Sequence, residues 1–254
     1  MNMIVCTDTF AAAWLRKDPQ PWQKLVSMGP VGFPAYARLR FLPDPTHPGQ
    51  NENEAPERAE AISDTGLLRR AVEVLASFTT TPQQCYFMLW DGYGLHPTTQ
   101  HGAAHSATDS ASVLGADTDD QRAAGTRAPL LQSPPAGWRP GTRPGQGSAR
   151  SPWAQGTGQQ EPALVRLPER DYYLFEGSID DFGDWGPALA QPPTDYAPEP
   201  AFTWPADHAW CIARDVDPHY AGIGAVPAAI EALIQHPGLD VVAADPAQEQ
   251  PHYW

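Results

Sequence analysis

The residues best suited to chemistry lie between 207 and 219. Asp207 and His208 stand together, and Asp215-Val216-Asp217-Pro218-His219 follows a short apolar run. On a strand, Asp215 and Asp217 point to the same side. With His208 and His219 they offer oxygen and imidazole ligands of the kind that suit zinc or iron. The same residues also read as two polar strand ends, with Asp217-Pro218 opening a turn. No H-E-x-x-H spacing supports the metal reading, so no metal or cofactor is expected.

Three other groups call for the same weighing. Glu176, Asp180, Asp181 and Asp184 form an acidic cluster. If they lie on a helix, Asp180 and Asp184 share a face and could do acid–base work. Acids in a first helical turn also simply complement the helix dipole. Gly222-Ile223-Gly224 precedes a helix at Pro227, as a phosphate loop would. Pro227 takes the place of the third glycine, however, so a tight strand-to-helix turn is the better reading. His96, His101 and His105 fall in a low-complexity stretch, where any metal site would first have to offset ordering entropy. There is no G-x-S-x-G, P-loop or kinase signature.

Charge narrows the field of partners. The chain of 254 residues has a net charge of −14. Residues 161–254 hold 16 acids against three bases, a balance of −13. Such a surface repels phosphate backbones, which disfavours nucleic acid, and it attracts basic proteins or metal cations. The three cysteines, Cys6, Cys85 and Cys211, form no CxxC pair; Cys85 and Cys211, inside apolar runs, read as buried inert thiols, and a reducing compartment fits. The first residues lack the pattern of a secretory signal, and no run is long enough to span a bilayer. A cytoplasmic protein with no membrane partner is expected.

The elements that must position these groups follow from periodicity. Asp8–Lys17 reads as a short helix with Asp8 as N-cap. Tyr36–Leu42 alternates, with Tyr36, Arg38 and Arg40 on one face and Ala37, Leu39 and Phe41 on the other, as in a half-buried strand. Asp44–Ala61 reads as a loop broken by prolines. Asp64–Phe78 carries a broad apolar stripe at helical spacing. Gln84–Trp90 reads as a central strand. Residues 95–160, rich in Gly, Pro, Ser and Ala, read as a disordered insert. Beyond it, Ala163–Leu167 and Tyr172–Glu176 read as paired strands, and Ser178–Trp185 as a helical turn. Gln191–Pro205 is a proline-rich loop, Trp210–Val216 a strand, Pro227–Gln235 a helix and Leu239–Ala243 a last strand.

The expected fold is therefore α+β: a single mixed sheet of about six strands with three or four covering helices. Residues 1–94 and 161–254 are expected to form the two halves of one domain. Four segments, GPVGFPAYARLRFLPDP (29–45), CYFMLWDGYG (85–94), RLPERDYYLFEG (166–177) and WPADHAWCIARDVDPHYAGIG (204–224), resemble a family of uncharacterised actinobacterial proteins. That resemblance implies that the two halves belong to one unit and carries no assigned activity.

Turn residues after core strands are where sites gather. Trp90, Tyr93, Trp204 and Trp210 are thus the expected aromatic lining of a cleft, with Asp207, Asp215 and Asp217 as its polar contacts. The expected role is a non-enzymatic, acidic protein-binding one, immunity-like or regulatory, with a basic protein as partner. The alternative is a hydrolase or metal-dependent enzyme using Asp215, Asp217 and His219.

Overall fold

The computed structural model describes residues 3–56, 62–94, 96–97, 162–190, 198–214 and 218–254. By its contacts the chain separates into one unit formed by 1–100 with 157–254 and another formed by 101–156. The latter lies outside the described residues, as does most of the expected disordered insert.

The fold is α+β, with more strands than the pattern announces. Nine strands make one sheet, in the order β1 (Ile4–Val5), β6 (Asp171–Gly177), β3 (Cys85–Trp90), β8 (Phe202–Pro205), β9 (Trp210–Ala213), β10 (Tyr220–Ala225), β2 (Ala35–Arg40) and β11 (Val241–Ala244). The ninth, β5 (Leu164–Arg166), pairs with β6 beyond the end of β1. Every pairing in the sheet is antiparallel. A separate ribbon joins β4 (His96–Pro97) to β7 (Leu189–Ala190).

All six strands read from the sequence are present. The additional ones are β1, β8 and β10, of which β8 and β10 lie inside the sheet. The proline-rich reading hid β8. The glycines hid β10, so Gly222 and Gly224 belong to a central strand and not to a turn or a phosphate loop.

Helices cover both faces of the sheet. Registry places Val5, Phe175, Phe87, Ile212, Ile223 and Ala37 on one face. There they meet α3 (Asp64–Leu75) and α4 (Pro227–Gln235) in the larger core. The apolar stripe of α3 is Leu67, Leu68, Ala71, Val72 and Leu75, all buried. Ser63 caps this helix, its Oγ accepting from the Gly66 N–H at 3.1 Å. The helix ends in a 3-10 turn over Ala76–Phe78.

Leu174, Met88, Phe202, Ala213 and Gly222 occupy the other face. Its cover is a 3-10 turn (Phe10–Ala12) leading into α1 (Ala13–Arg16), followed by α2 (Trp22–Met28). The sequence reading missed α2, although Pro21 before it and Gly29 after it, at φ 82°, mark its limits.

The glycines of β10 set how closely this second layer sits. A Cβ on Gly222 would lie 2.4 Å from the Ser27 carbonyl oxygen and 2.5 Å from the Met28 Cα. One on Gly224 would lie 2.4 Å from the Phe33 ring. Backbone cannot yield as a flexible side chain can, so α2 rests directly on the strand. Strand β2 is then buried on both faces and not half-buried as its alternation implied.

Gly222→Ala is expected to destabilise the fold by about 1–3 kcal/mol, the usual cost of overpacking. Urea denaturation at neutral pH measures it. A variant as stable as the parent would mean that α2 does not rest on β10.

Candidate functional site

The two-sided burial of β2 creates an electrostatic requirement. Arg38 is on the face beneath α2 and is only 6% exposed. A buried guanidinium needs a counter-charge. Asp44 supplies it with two parallel hydrogen bonds, Nη1 to Oδ1 at 2.5 Å and Nη2 to Oδ2 at 3.0 Å. Arg38 also sits over the Tyr220 ring, 5.0 Å from its centroid. Arg40 donates to Asp44 at 3.1 Å and to Asp240 on the neighbouring strand end at 2.7 Å.

His219 completes the group, its Nε2 lying 3.2 Å from Asp44 Oδ1. Burial pushes the Asp44 carboxyl up, but the hydrogen bonds from Arg38 and His219 and the charges of Arg38 and Arg40 outweigh this. They hold it at about 2. Burial, the largest cause, lowers His219 from its ordinary value; the Asp44 bond and charge raise it, Arg38 and Arg40 lower it further, and the net direction is down. The ring is therefore neutral at pH 7. An ionised Asp44 can only accept, so Nε2 carries the proton and Nδ1 the lone pair.

Beside His219 opens a cleft of about 750 Å³. Its walls are α2, residues 218–220 at the start of β10, Glu52, and the segment 246–254. That segment is fastened at several points. Lys24 Nζ donates to the carbonyls of Pro246 and Ala247 at 3.2 and 3.1 Å. The Tyr253 hydroxyl donates to the Pro43 carbonyl at 2.6 Å. The Trp254 N–H donates to the Gln50 carbonyl at 3.0 Å, and Asn51 Nδ2 to the Trp254 carbonyl at 3.2 Å. The Tyr253 ring meets the His219 ring edge-on, with centroids 4.9 Å apart.

The described residues among those expected to line a cleft are placed elsewhere. Trp204 and Trp210 are fully buried, on opposite faces of the sheet. Trp90 packs edge-on against Tyr93, with centroids 5.4 Å apart, and lies under the Arg170 guanidinium at 4.7 Å. Asp207 staples a hairpin. Its carboxylate accepts from Thr79 Oγ1, from Thr80 N and Oγ1, and from Ala209 N, at 2.7–3.1 Å.

His208 has a left-handed backbone (φ 53°) and stacks on Trp14 with centroids 4.4 Å apart. It precedes β9, whereas His219 follows that strand. The two rings are held in different places, His208 on Trp14 and His219 on Asp44, and they do not converge on one metal site. Asp215 and Asp217 lie outside the described residues, as do His101, His105 and the side chain of His96. Among the described residues, no three His, Cys, Asp or Glu side chains converge to hold a metal.

The acidic cluster is not helical. Ile179–Asp181 is a 3-10 turn, and Asp181 closes a capping box with Ser178. The acids fall into two groups, Glu176 with Asp8 about Cys6 and Asp180 with Asp207 about Cys85. The Cys6 thiol is pushed up to about 12 by burial and then by Glu176 and Asp8. Cys85 is pushed up to about 12 by burial and then by Asp207 and Asp180. Both thiols are protonated at neutral pH and are not nucleophiles there. Ile4 is 57% exposed, and Phe10, whose N–H donates to the Asp8 carboxylate, is 84% exposed. Ile4 lies directly opposite Glu176 in the register.

No family model matches the chain, and neither a curated protein nor a solved structure does so. No helix among the described residues is long and apolar enough to cross a membrane.

Asp44→Ala is expected to cost about 3–5 kcal/mol at neutral pH, because Arg38 stays buried without its counter-charge. The folded carboxyl, at about 2, lies below its ordinary value of 3.8. The stability that Asp44 contributes is therefore full above about pH 4 and is lost as pH falls towards 2. Acid titration of both proteins by circular dichroism measures this. An unchanged acid midpoint in Asp44→Ala would contradict it.

Proposed function

We propose that this is a binding protein whose partner is a basic polypeptide, in an immunity-like or regulatory role. The observation that carries the reading is the edge at β1. Among the described residues β1 is paired on one side only. Ile4 and Phe10 are exposed, Ile4 directly opposite Glu176 in the register and Phe10 with its N–H on the Asp8 carboxylate. An exposed aromatic supplies an anchor, and the surrounding acids choose the sign of the partner. Carboxylates aligned this way steer a basic chain and weaken with added salt.

The enzyme alternative built on Asp215, Asp217 and His219 has less support. Asp215 and Asp217 lie outside the described residues; Asp44 holds His219 Nε2 and leaves Nδ1 as the one ring nitrogen for acid–base work, with no cluster of metal ligands beside it among the described residues.

A photo-reactive amino acid at position 10 tests the proposal in the native host. It should cross-link a basic protein at low salt and lose it at high salt. Phe10→Ala and Glu176→Lys should each weaken capture of that protein about tenfold or more, with no change in melting temperature. A captured protein that is indifferent to salt and to both substitutions would rule the edge out.

A further inference from the structure

The cleft beside His219 is far from the β1 edge in the fold, and its chemistry is different. Its innermost polar group is the His219 ring, whose side chain is only 3% exposed. Nε2 is committed to Asp44. Nδ1 has no hydrogen-bond partner among the described residues, yet it is not sealed from solvent. A buried ring with one nitrogen fixed and the other an open acceptor is an oriented group awaiting a donor.

The rest of the lining says what kind of donor. Lys24 places an ammonium on one wall, which opposes a cation, while Glu52 and Glu249 oppose an anion. The Glu52 carboxylate and the Gln23 amide make no side-chain hydrogen bond among the described residues, so both can meet a ligand. Carboxylate, amide and imidazole nitrogen together both accept and donate, as vicinal hydroxyl groups require. Trp254, 74% exposed, and Tyr253 add flat apolar surface on the same segment. The cleft, at about 750 Å³, is of the size that holds a small molecule.

We propose that this cleft binds a neutral saccharide of one or two rings, one hydroxyl donating to His219 Nδ1, others meeting Glu52 and Gln23, and the apolar ring face lying against Trp254. The site is separate from the β1 edge, and neither reading depends on the other.

The test is a binding screen on the full chain by saturation-transfer NMR and calorimetry. The panel is glucose, galactose, mannose, N-acetylglucosamine, maltose and cellobiose, with spermidine as the cationic control and citrate as the anionic one. At least one sugar should bind and shift the His219 ring resonances. Glu52→Gln and Trp254→Ala alter surface groups outside the core, so each should fold as the parent does. Each should weaken that sugar about tenfold, the loss expected for one good contact. His219→Gln should abolish binding, and the two surface variants keep the test decisive if that variant fails to fold. No sugar bound at millimolar concentration, binding unaffected by Glu52→Gln and Trp254→Ala, or spermidine or citrate bound in place of the sugars would each overturn the proposal.

Discussion

The burial of Arg38 inside a sheet covered on both faces constrains everything around it. Gly222 lets α2 press onto β10, and the same layer closes over the neighbouring strand. A guanidinium caught there must be neutralised locally, since leaving it unpaired would cost several kcal/mol. Asp44 does this from a loop that composition alone would leave irregular. Once Asp44 is fixed, it also orients His219, and Arg40 links it to Asp240 at the last strand. Pro43, next to Asp44, receives the Tyr253 hydroxyl, and Gln50, further along the loop, receives the Trp254 amide. One ion pair thus organises the loop, the start of β10 and the segment 246–254 that walls the cleft.

The two helical layers differ in what they leave open. The α3–α4 layer buries a continuous apolar face and contributes mainly stability, each fully buried Leu being worth about 1.5–3 kcal/mol. The α1–α2 layer is smaller and leaves ground uncovered on two sides. Towards β1 it exposes Phe10 and Ile4 among carboxylates. Towards β2 and β10 it borders the cleft. Both candidate recognition surfaces lie where this layer ends, and the ionic groups differ between them. The edge is mainly acidic, with Arg16 reaching Thr9 between Asp8 and Phe10, whereas the cleft mixes signs around a neutral imidazole.

Much of the fold was legible because its stronger signals are local. Alternation revealed β2, an apolar run β3, and a helical stripe α3. What was missed was set by contacts distant in sequence. Gly222 and Gly224 look like turn residues until Ser27, Met28 and Phe33 are seen against them. Phe202–Pro205 sits among prolines and becomes a strand through pairing with β3 and β9. For α2 the local signal is present, in Pro21 before it and Gly29 after it. For the site, His219 was singled out from its neighbours in sequence, Asp215 and Asp217. The carboxylate that holds it, Asp44, lies 175 residues away, a distance no spacing rule reaches. Trp204 and Trp210 were drawn to the site by residue type, but their flat apolar rings serve the core.

The central claim is that Asp44 fixes His219 as a neutral ring with an open Nδ1. Long-range ¹H–¹⁵N correlation of the histidine ring, followed across pH, measures this directly. The account predicts a proton on Nε2 and none on Nδ1 at pH 7, with titration below the ordinary value of 6.5. A proton on Nδ1 at pH 7, or titration above 6.5, would contradict it.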